Sequence, residues 1–391
     1  MTSALEVFLA FLRLGLTSFG GPVAHLGFFR EEFVVRRRWL DEASYADVVA
    51  LCQFLPGPTS SQVSMALGRM RAGPAGAFAA WCGFTLPSAV LLVLLAKGLG
   101  SHADQLPNGL LHGLKVATVA VVAQAVWGMA RSLCPDPPRI ALMLLAAAVC
   151  LYLPTAPMQL AVMVLSGVFG LLWLRTPAGP SFPPLPLGGK RSGAALLAVF
   201  VLLLTVLPVL ATLFPIPLLR MADAFYRTGA LVFGGGHVVL PLLQAEMVPT
   251  GWVNNETLLA GYAAAQAVPG PLFTFAAFLG ASMEHGAYGW AGGLVGLLAI
   301  FVPGWLLVMG AAPFWETLRR DTRARAALAG VNAAVVGVLL AALVGPVWTS
   351  AIHAPQDLAL GLVALAALQF ARWPAWCVVP LCGIAGILGS G

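Results

Sequence analysis

Long apolar runs fill most of the chain, and the polar residues and helix breakers that punctuate them recur. Arg13-x-Gly15-x-x-x-Phe19-Gly20-Gly21 returns as Arg227-x-Gly229-x-x-x-Phe233-Gly234-Gly235, and Trp39 with nearby Glu42 returns as Trp252 with Glu256. Gln53-x-x-Pro56-Gly57-Pro58 returns as Gln266-x-x-Pro269-Gly270-Pro271. Leu86-Pro87 matches Val302-Pro303, and Gly113-Leu114-Lys115 matches Gly330-Val331-Asn332. The copies stay 213–217 residues apart throughout, which identifies a two-fold duplication. It divides the chain into a first repeat, 1–175, a linker with an extra apolar helix, 176–214, and a second repeat, 215–391. The linker Arg175–Ser192 is rich in Pro and Gly, and the apolar segment Gly193–Phe214 follows it. Met1–Leu16 lacks a basic start and a small-residue cleavage site, so it reads as an uncleaved first membrane segment.

Charge then orients the copies. Arg30, Arg36, Arg37, Arg38, Arg69 and Arg71 punctuate the first repeat, whereas the matching stretches 244–255 and 282–288 hold no Lys or Arg. Further on the bias reverses. Lys97 stands alone where the second copy has Arg319, Arg320, Arg323 and Arg325, and Arg131 and Arg139 match the Lys/Arg-free stretch 350–356. Under the positive-inside rule the copies lie in opposite senses, with the N-terminus cytoplasmic and the C-terminus outside. The fold expected is an all-α polytopic membrane protein built from two inverted-topology repeats, an architecture common among secondary transporters. Ala43–Met65 lies between two arginine-rich stretches on one side, so it should enter and return, broken at Pro56-Gly57-Pro58. The Phe-Gly-Gly segments are candidates for a second re-entrant hairpin.

Composition sharpens this. The 391 residues are 60% hydrophobic and only 9% Asp, Glu, Lys or Arg, against about 25% charged residues in soluble domains. Soluble enzymes and disordered chains are excluded, and the net charge of +6 is the loop arginine of a membrane protein rather than a nucleic-acid surface. The length allows roughly a dozen passes of about 20 residues. The six cysteines form no CxxC pair and read as buried thiols. No GxSxG, Walker A, HExxH or paired-acid motif occurs, so neither an enzyme nor an ATP-driven pump is expected, and no cofactor or metal.

Irregular backbone at membrane depth is tolerated only when buried in protein or lining a wet cavity. The four breaks are therefore the site pointers: Gly20 and Gly21, Gly57 with Thr59, Gly234 and Gly235, and Gly270 with Thr274. A half-helix starting after each break offers unpaired N–H groups and a positive dipole end, which suits an anion. Arg13 and Arg227 lie in apolar stretches where a charge costs about 2.5 kcal/mol or more. Their guanidinium forks match oxyanion oxygens, and the alternatives are snorkelling or pairing with an acid such as Asp223. His25 and His237 follow two breaks as donors or titrating groups. Gln53 and Gln266 are symmetric and neutral, suited equally to ligand contact and to helix–helix bonding. Lys115, with Asn332 as its counterpart, puts a charge on one side only. Glu32 reads as an interfacial ion pair with Arg36 and Arg37.

Taken together, Phe19-Gly20-Gly21-Pro22 with His25, Arg37-Arg38-Trp39-Leu40, Gln53 through Thr59, Phe233 through Pro241, and Gly261-Tyr262 through Pro271 resemble the chromate ion transporter family in its long, two-domain form. The resemblance implies a secondary transporter that exports chromate across a bacterial inner membrane and confers chromate resistance. The alternatives are a permease for sulfate or another oxyanion, and a passive anion channel. The partners implied are a small oxyanion (chromate or sulfate), protons as candidate coupling ions and the lipid bilayer, with a homodimer as one possible assembly and no nucleic acid.

Overall fold

A computed structural model of the chain describes residues 4–101, 109–176, 188–214, 216–283 and 289–389. Parts of the linker Arg175–Ser192 and of the stretch 282–288 lie outside the described residues. The first repeat contains α1 (Ala4–Thr17), α2 (Gly21–Arg30), α3 (Glu42–Phe54), α4 (Thr59–Ser101), α5 (Leu110–Leu133), α6 (Pro137–Tyr152) and α7 (Ala156–Trp173). A single helix, α8 (Lys190–Leu213), leads to the second repeat. That repeat contains α9 (Pro217–Leu231), α10 (Val239–Met247), α11 (Asn255–Ala267), α12 (Phe275–Ala281), α13 (Gly289–Ala311), α14 (Trp315–Arg320), α15 (Thr322–Ala342), α16 (Trp348–Ala351), α17 (Pro355–Gln369) and α18 (Ala375–Gly389). No strand occurs among the described residues, and six helical stretches are long and apolar enough to cross a bilayer. The protein is a multi-pass, all-α membrane protein.

The first hairpin is re-entrant. Phe11 of α1 packs on Phe29 and Phe33, with ring centroids 5.5 and 4.7 Å apart, so α2 runs back along α1. The ends meet again where Arg37 lies 3.8 Å from Glu6. The N-terminal segment is thus one limb of a hairpin that returns at the Phe-Gly-Gly break, as that break suggested. The second hairpin does the same. α3 ends at Phe54, α4 starts at Thr59, and its first thirteen residues lead to Arg71, whose guanidinium lies over Trp39, 5.2 Å from the ring centroid. There Ala72 and Gly73 leave helical geometry, the chain reverses, and the remainder of α4 crosses. In the second repeat Arg227 of α9 reaches back to Glu246 of α10 at 2.7 Å, so this pair also folds back on itself.

The copies share one frame. Gly15 of α1 lies against α4, where an added Cβ would sit 2.6 Å from the Gly83 carbonyl oxygen, and Gly229 of α9 meets the Ile300 carbonyl of α13 in the same way at 2.2 Å. Small residues allow this close approach, which is how helices associate in lipid without a hydrophobic driving force. The two copies are stitched at their breaks. The Gly57 N–H donates to the Val232 carbonyl at 2.7 Å, and the equivalent Gly270 N–H donates to the Ser18 carbonyl at 3.0 Å. Gly57 has φ 124°, a conformation a side chain would resist. These reciprocal bonds supply acceptors for backbone groups that lipid cannot satisfy.

Candidate functional site

A cavity of about 810 Å³ lies where the breaks meet. Three helix starts surround it: α2 behind Gly20, α4 behind Gly57, and the short turn Gly236–Val238 that leads into α10. The first N–H groups of a helix have no acceptor inside it, and their dipole ends favour an anion. Gln53, Thr59, Gln124, His237 and Asn332 add neutral polar side chains, and no Lys, Arg, Asp or Glu lines the space. The wall between them is apolar, with Leu26, Met129 and Leu133. Such a site can hold an oxyanion by many neutral donors, without a counter-charge that would trap it.

The sequence candidates divide. Gly20, Gln53, Gly57, Thr59, Gly234, Gly235 and His237 are brought together on the cavity. Gln266 stands behind His237, its Nε2 3.4 Å from His237 Nδ1, and the Tyr262 hydroxyl lies 2.7 Å from the same nitrogen. Gly21 and His25 are not on the lining; His25 is buried, with Nε2 3.2 Å from the Ser18 carbonyl. The fourth break is likewise off the cavity. A Cβ on Gly270 would lie 2.6 Å from Ser88 Oγ, so the backbone there is pressed against α4. Thr274 is buried and donates to the Pro271 carbonyl at 2.7 Å. Beyond that break only a three-residue turn precedes the seven-residue α12, too short for a strong dipole.

Both arginine candidates also lie elsewhere. Arg13 is exposed, because Val7, Ala10, Phe11 and Leu14 form the buried stripe of α1 and leave it on the other side. Arg227 is held by Asp223 at 2.9 Å and by Glu246 at 2.7 Å, and it borders a separate cavity of about 460 Å³. Glu32 binds Arg37 Nε at 2.7 Å, the ion pair read from its neighbours.

Among the described residues the two faces of the cavity differ. A cleft of about 430 Å³ runs between α3 and α15 at the arginine-rich face, and Gln53, Ser132, Leu133 and Asn332 border both it and the central cavity. On the opposite face α11 is packed against α5. Lys115 Nζ lies 2.8 Å from Glu256, and the buried Thr118 hydroxyl donates to the Leu259 carbonyl at 3.2 Å.

Sequence reasoning passed over α5. Gln124, Gly128 and Ser132 recur every four residues on one face of an apolar helix and line the cavity, and that spacing was the available signal. Asn332 enters the sequence pattern only as the counterpart of Lys115 in the second copy. Among the described residues one group could hold a metal, His112 with His353 and Asp357. It lies away from the cavity, and Asp357 Oδ2 already accepts from the N–H groups of His353 and Ala354.

Comparison with known proteins agrees with this two-copy architecture. The sequence profile described as Chromate transporter matches residues 5–171 and again 219–387. A probable chromate transport protein of Synechococcus elongatus is 26% identical, over 97% of this chain and 93% of its own length. Chromate transport proteins of Cupriavidus metallidurans and Pseudomonas aeruginosa are 27% and 26% identical, over 93% of this chain and 87% and 85% of their own lengths. No solved structure shows significant similarity. With both copies matched over almost their whole lengths, the chain belongs to the chromate transporter family.

Proposed function

We propose that this chain carries chromate, or a closely related tetrahedral oxyanion, out of a bacterial cytoplasm by alternating access, with the cavity between the first three breaks as the substrate site. The observation that carries this reading is the one-sided cavity: reachable through the cleft between α3 and α15, closed by α5 and α11 on the other face. Under the positive-inside rule the arginine-rich face is cytoplasmic. The N-terminus then lies inside, the C-terminus in the periplasm, and the site is loaded from within. An inside-negative potential favours moving two negative charges outward by about 4.6 kcal/mol per 100 mV, from about 2.3 per charge. Export of a dianion therefore needs no other drive, and resistance to chromate follows from it. Neutral donors suit this cycle, since formal positive charge in an enclosed, poorly solvated site would hold a dianion too tightly to release it. The chromate named for the relatives selects the oxyanion proposed here.

Flux of radiolabelled chromate in proteoliposomes under an imposed potential tests the proposal. Saturable flux with counterflow is expected, and Gln53→Ala and His237→Ala should each lower kcat/KM by about tenfold. Non-saturating flux with unitary currents would make the protein a channel. Wild-type kinetics in both variants would remove the cavity from the pathway.

A further inference from the structure

The arginines nearest the pathway are not those in the membrane-depth motifs. Arg139, Arg319 and Arg325 all border the cleft that leads to the central cavity. Arg319 is tied to two carboxylates of the wall. It is buried, donates to Asp47 Oδ1 at 2.9 Å and also binds Glu316, while Trp315 Nε1 donates to the same Asp47 oxygen at 2.7 Å.

The other two have fewer carboxylate partners, Asp136 alone for Arg139 and none among the described residues for Arg325. The Nε atoms of Arg139 and Arg325 are buried without a hydrogen-bond partner. Arg139 Nε lies 3.3 Å from Asp136 Oδ2 but is not aligned to bond it, and the other Asp136 oxygen accepts from the Arg139 backbone N–H. Arg325 makes no ion pair among the described residues. Their placement is also unfavourable for the helices themselves. Arg139 sits in the first turn of α6 and Arg325 in the first turn of α15, where the dipole end is already positive. A cation there opposes the macrodipole; the N-cap carboxylates of Asp136 and Asp321 offset part of that charge, and Asp47 shares the cleft. The nearby hydroxyls cannot share the task of donation, because Ser132 donates to the Gly128 carbonyl and Thr176 to the Thr322 carbonyl. The donors without a hydrogen bond at this level include the buried Nε atoms of Arg139 and Arg325, one from each repeat.

We infer that Arg139 and Arg325 form a second, shallower oxyanion site at the cleft, which captures a doubly charged tetrahedral oxyanion before it passes Gln53 into the central cavity. The inference rests on the transport reading given above and adds a residue-specific capture step to it. Two forks approaching from different helices suit a dianion with four oxygens better than one fork suits a monoanion. A charged site walled by protein also raises the local concentration of its ligand in a salt-dependent way. Capture lies outside the step that moves the ion, so its loss acts on KM and leaves the maximal rate in place.

Equilibrium dialysis of radiolabelled chromate against the purified full-length protein, paired with flux in proteoliposomes loaded from the cleft face, tests the inference. Wild type should bind two chromate ions, and the Arg139→Gln/Arg325→Gln double variant only one. In flux, the double variant should raise KM by about tenfold with the maximal rate unchanged. Added salt should raise KM in wild type and hardly affect it in the double variant. The Arg139→Lys/Arg325→Lys variant keeps charge and should recover part of the lost affinity, which a packing defect would not. Equal stoichiometry and KM in wild type and the double variant would overturn the capture site while leaving transport intact. Arginine-dependent binding in a protein that moves no chromate would overturn the transport reading and leave the site standing.

Discussion

Two equivalent helix pairs of this molecule behave oppositely. α5 and α11 are in contact, with Lys115 on Glu256 and Thr118 on the Leu259 carbonyl, while their counterparts α15 and α3 face one another across an open cleft. The frame behind both pairs is the same, down to the reciprocal bonds of Gly57 and Gly270. What differs is the side chains at the facing positions. Asn332 replaces Lys115, so the open pair has no equivalent of the Lys115–Glu256 bond. On the transport reading proposed above, a duplicated scaffold opens to either side in turn, and divergence at a few facing residues sets which side is closed at rest. Two-state movement of this kind needs differential contacts rather than a flexible frame.

The comparison can be broken most severely by fixing the closed pair. Joining Lys115→Cys to Glu256→Cys with a bifunctional maleimide, in a background without the six native cysteines, should abolish chromate flux. Chromate binding from the cleft should survive, so flux and equilibrium dialysis together check it. A cross-linked protein that still transports would mean that this face never opens.

The arginines of the two membrane-depth motifs provide the next contrast. Arg227→Ala leaves the Asp223 and Glu246 carboxylates, both largely buried, without their shared partner, and should cost about 3 kcal/mol. Arg13→Ala removes an exposed side chain and should change stability by less than about 0.5 kcal/mol. Thermal unfolding in detergent, with chromate KM as a second measurement, separates them; a raised KM in Arg13→Ala would return that residue to the anion path.

The smallest expected effect comes from loosening the closed pair rather than fixing it. Glu256 is 65% exposed, so its bond to the nearly buried Lys115 is screened by water and contributes less than about 1 kcal/mol. Lys115→Met should therefore shift the balance between the two faces by a few-fold. Maleimide labelling of a cysteine at Thr118 from the outer face would read that shift.

Much of this architecture was legible in the sequence because its causes are local. Pro56-Gly57-Pro58 and Phe19-Gly20-Gly21 break helices by their own covalent geometry. The loop arginines imply an orientation by a rule that needs no contacts, and together these two facts imply hairpins that return. The site was legible only in part. That Gly270 packs under Ser88 while Gly57 borders the cavity is a tertiary outcome, since both sit in the same Pro-Gly-Pro motif. Arg13 was misleading for a simpler reason. Charge in an apolar run drew attention, yet the stripe Val7, Ala10, Phe11, Leu14 already turned Arg13 away from the protein. The arginines that do border the pathway sit in loop-proximal first turns, where a topology rule accounts for them and so conceals any further role.

α8 has a role set by parity. An inverted second copy requires an odd number of crossings between repeats that each begin and end on one face, and α8, the single helix between them, supplies one. Without an odd crossing between them the second copy would insert the same way up as the first, and Gly57 could not meet Val232 nor Gly270 meet Ser18. Only 6% of the most apolar stretch of α8 is buried, so it contributes little to the packed core. Its importance lies in assembly: one inserted helix converts a tandem duplication into a pair of opposed halves that can close around an ion.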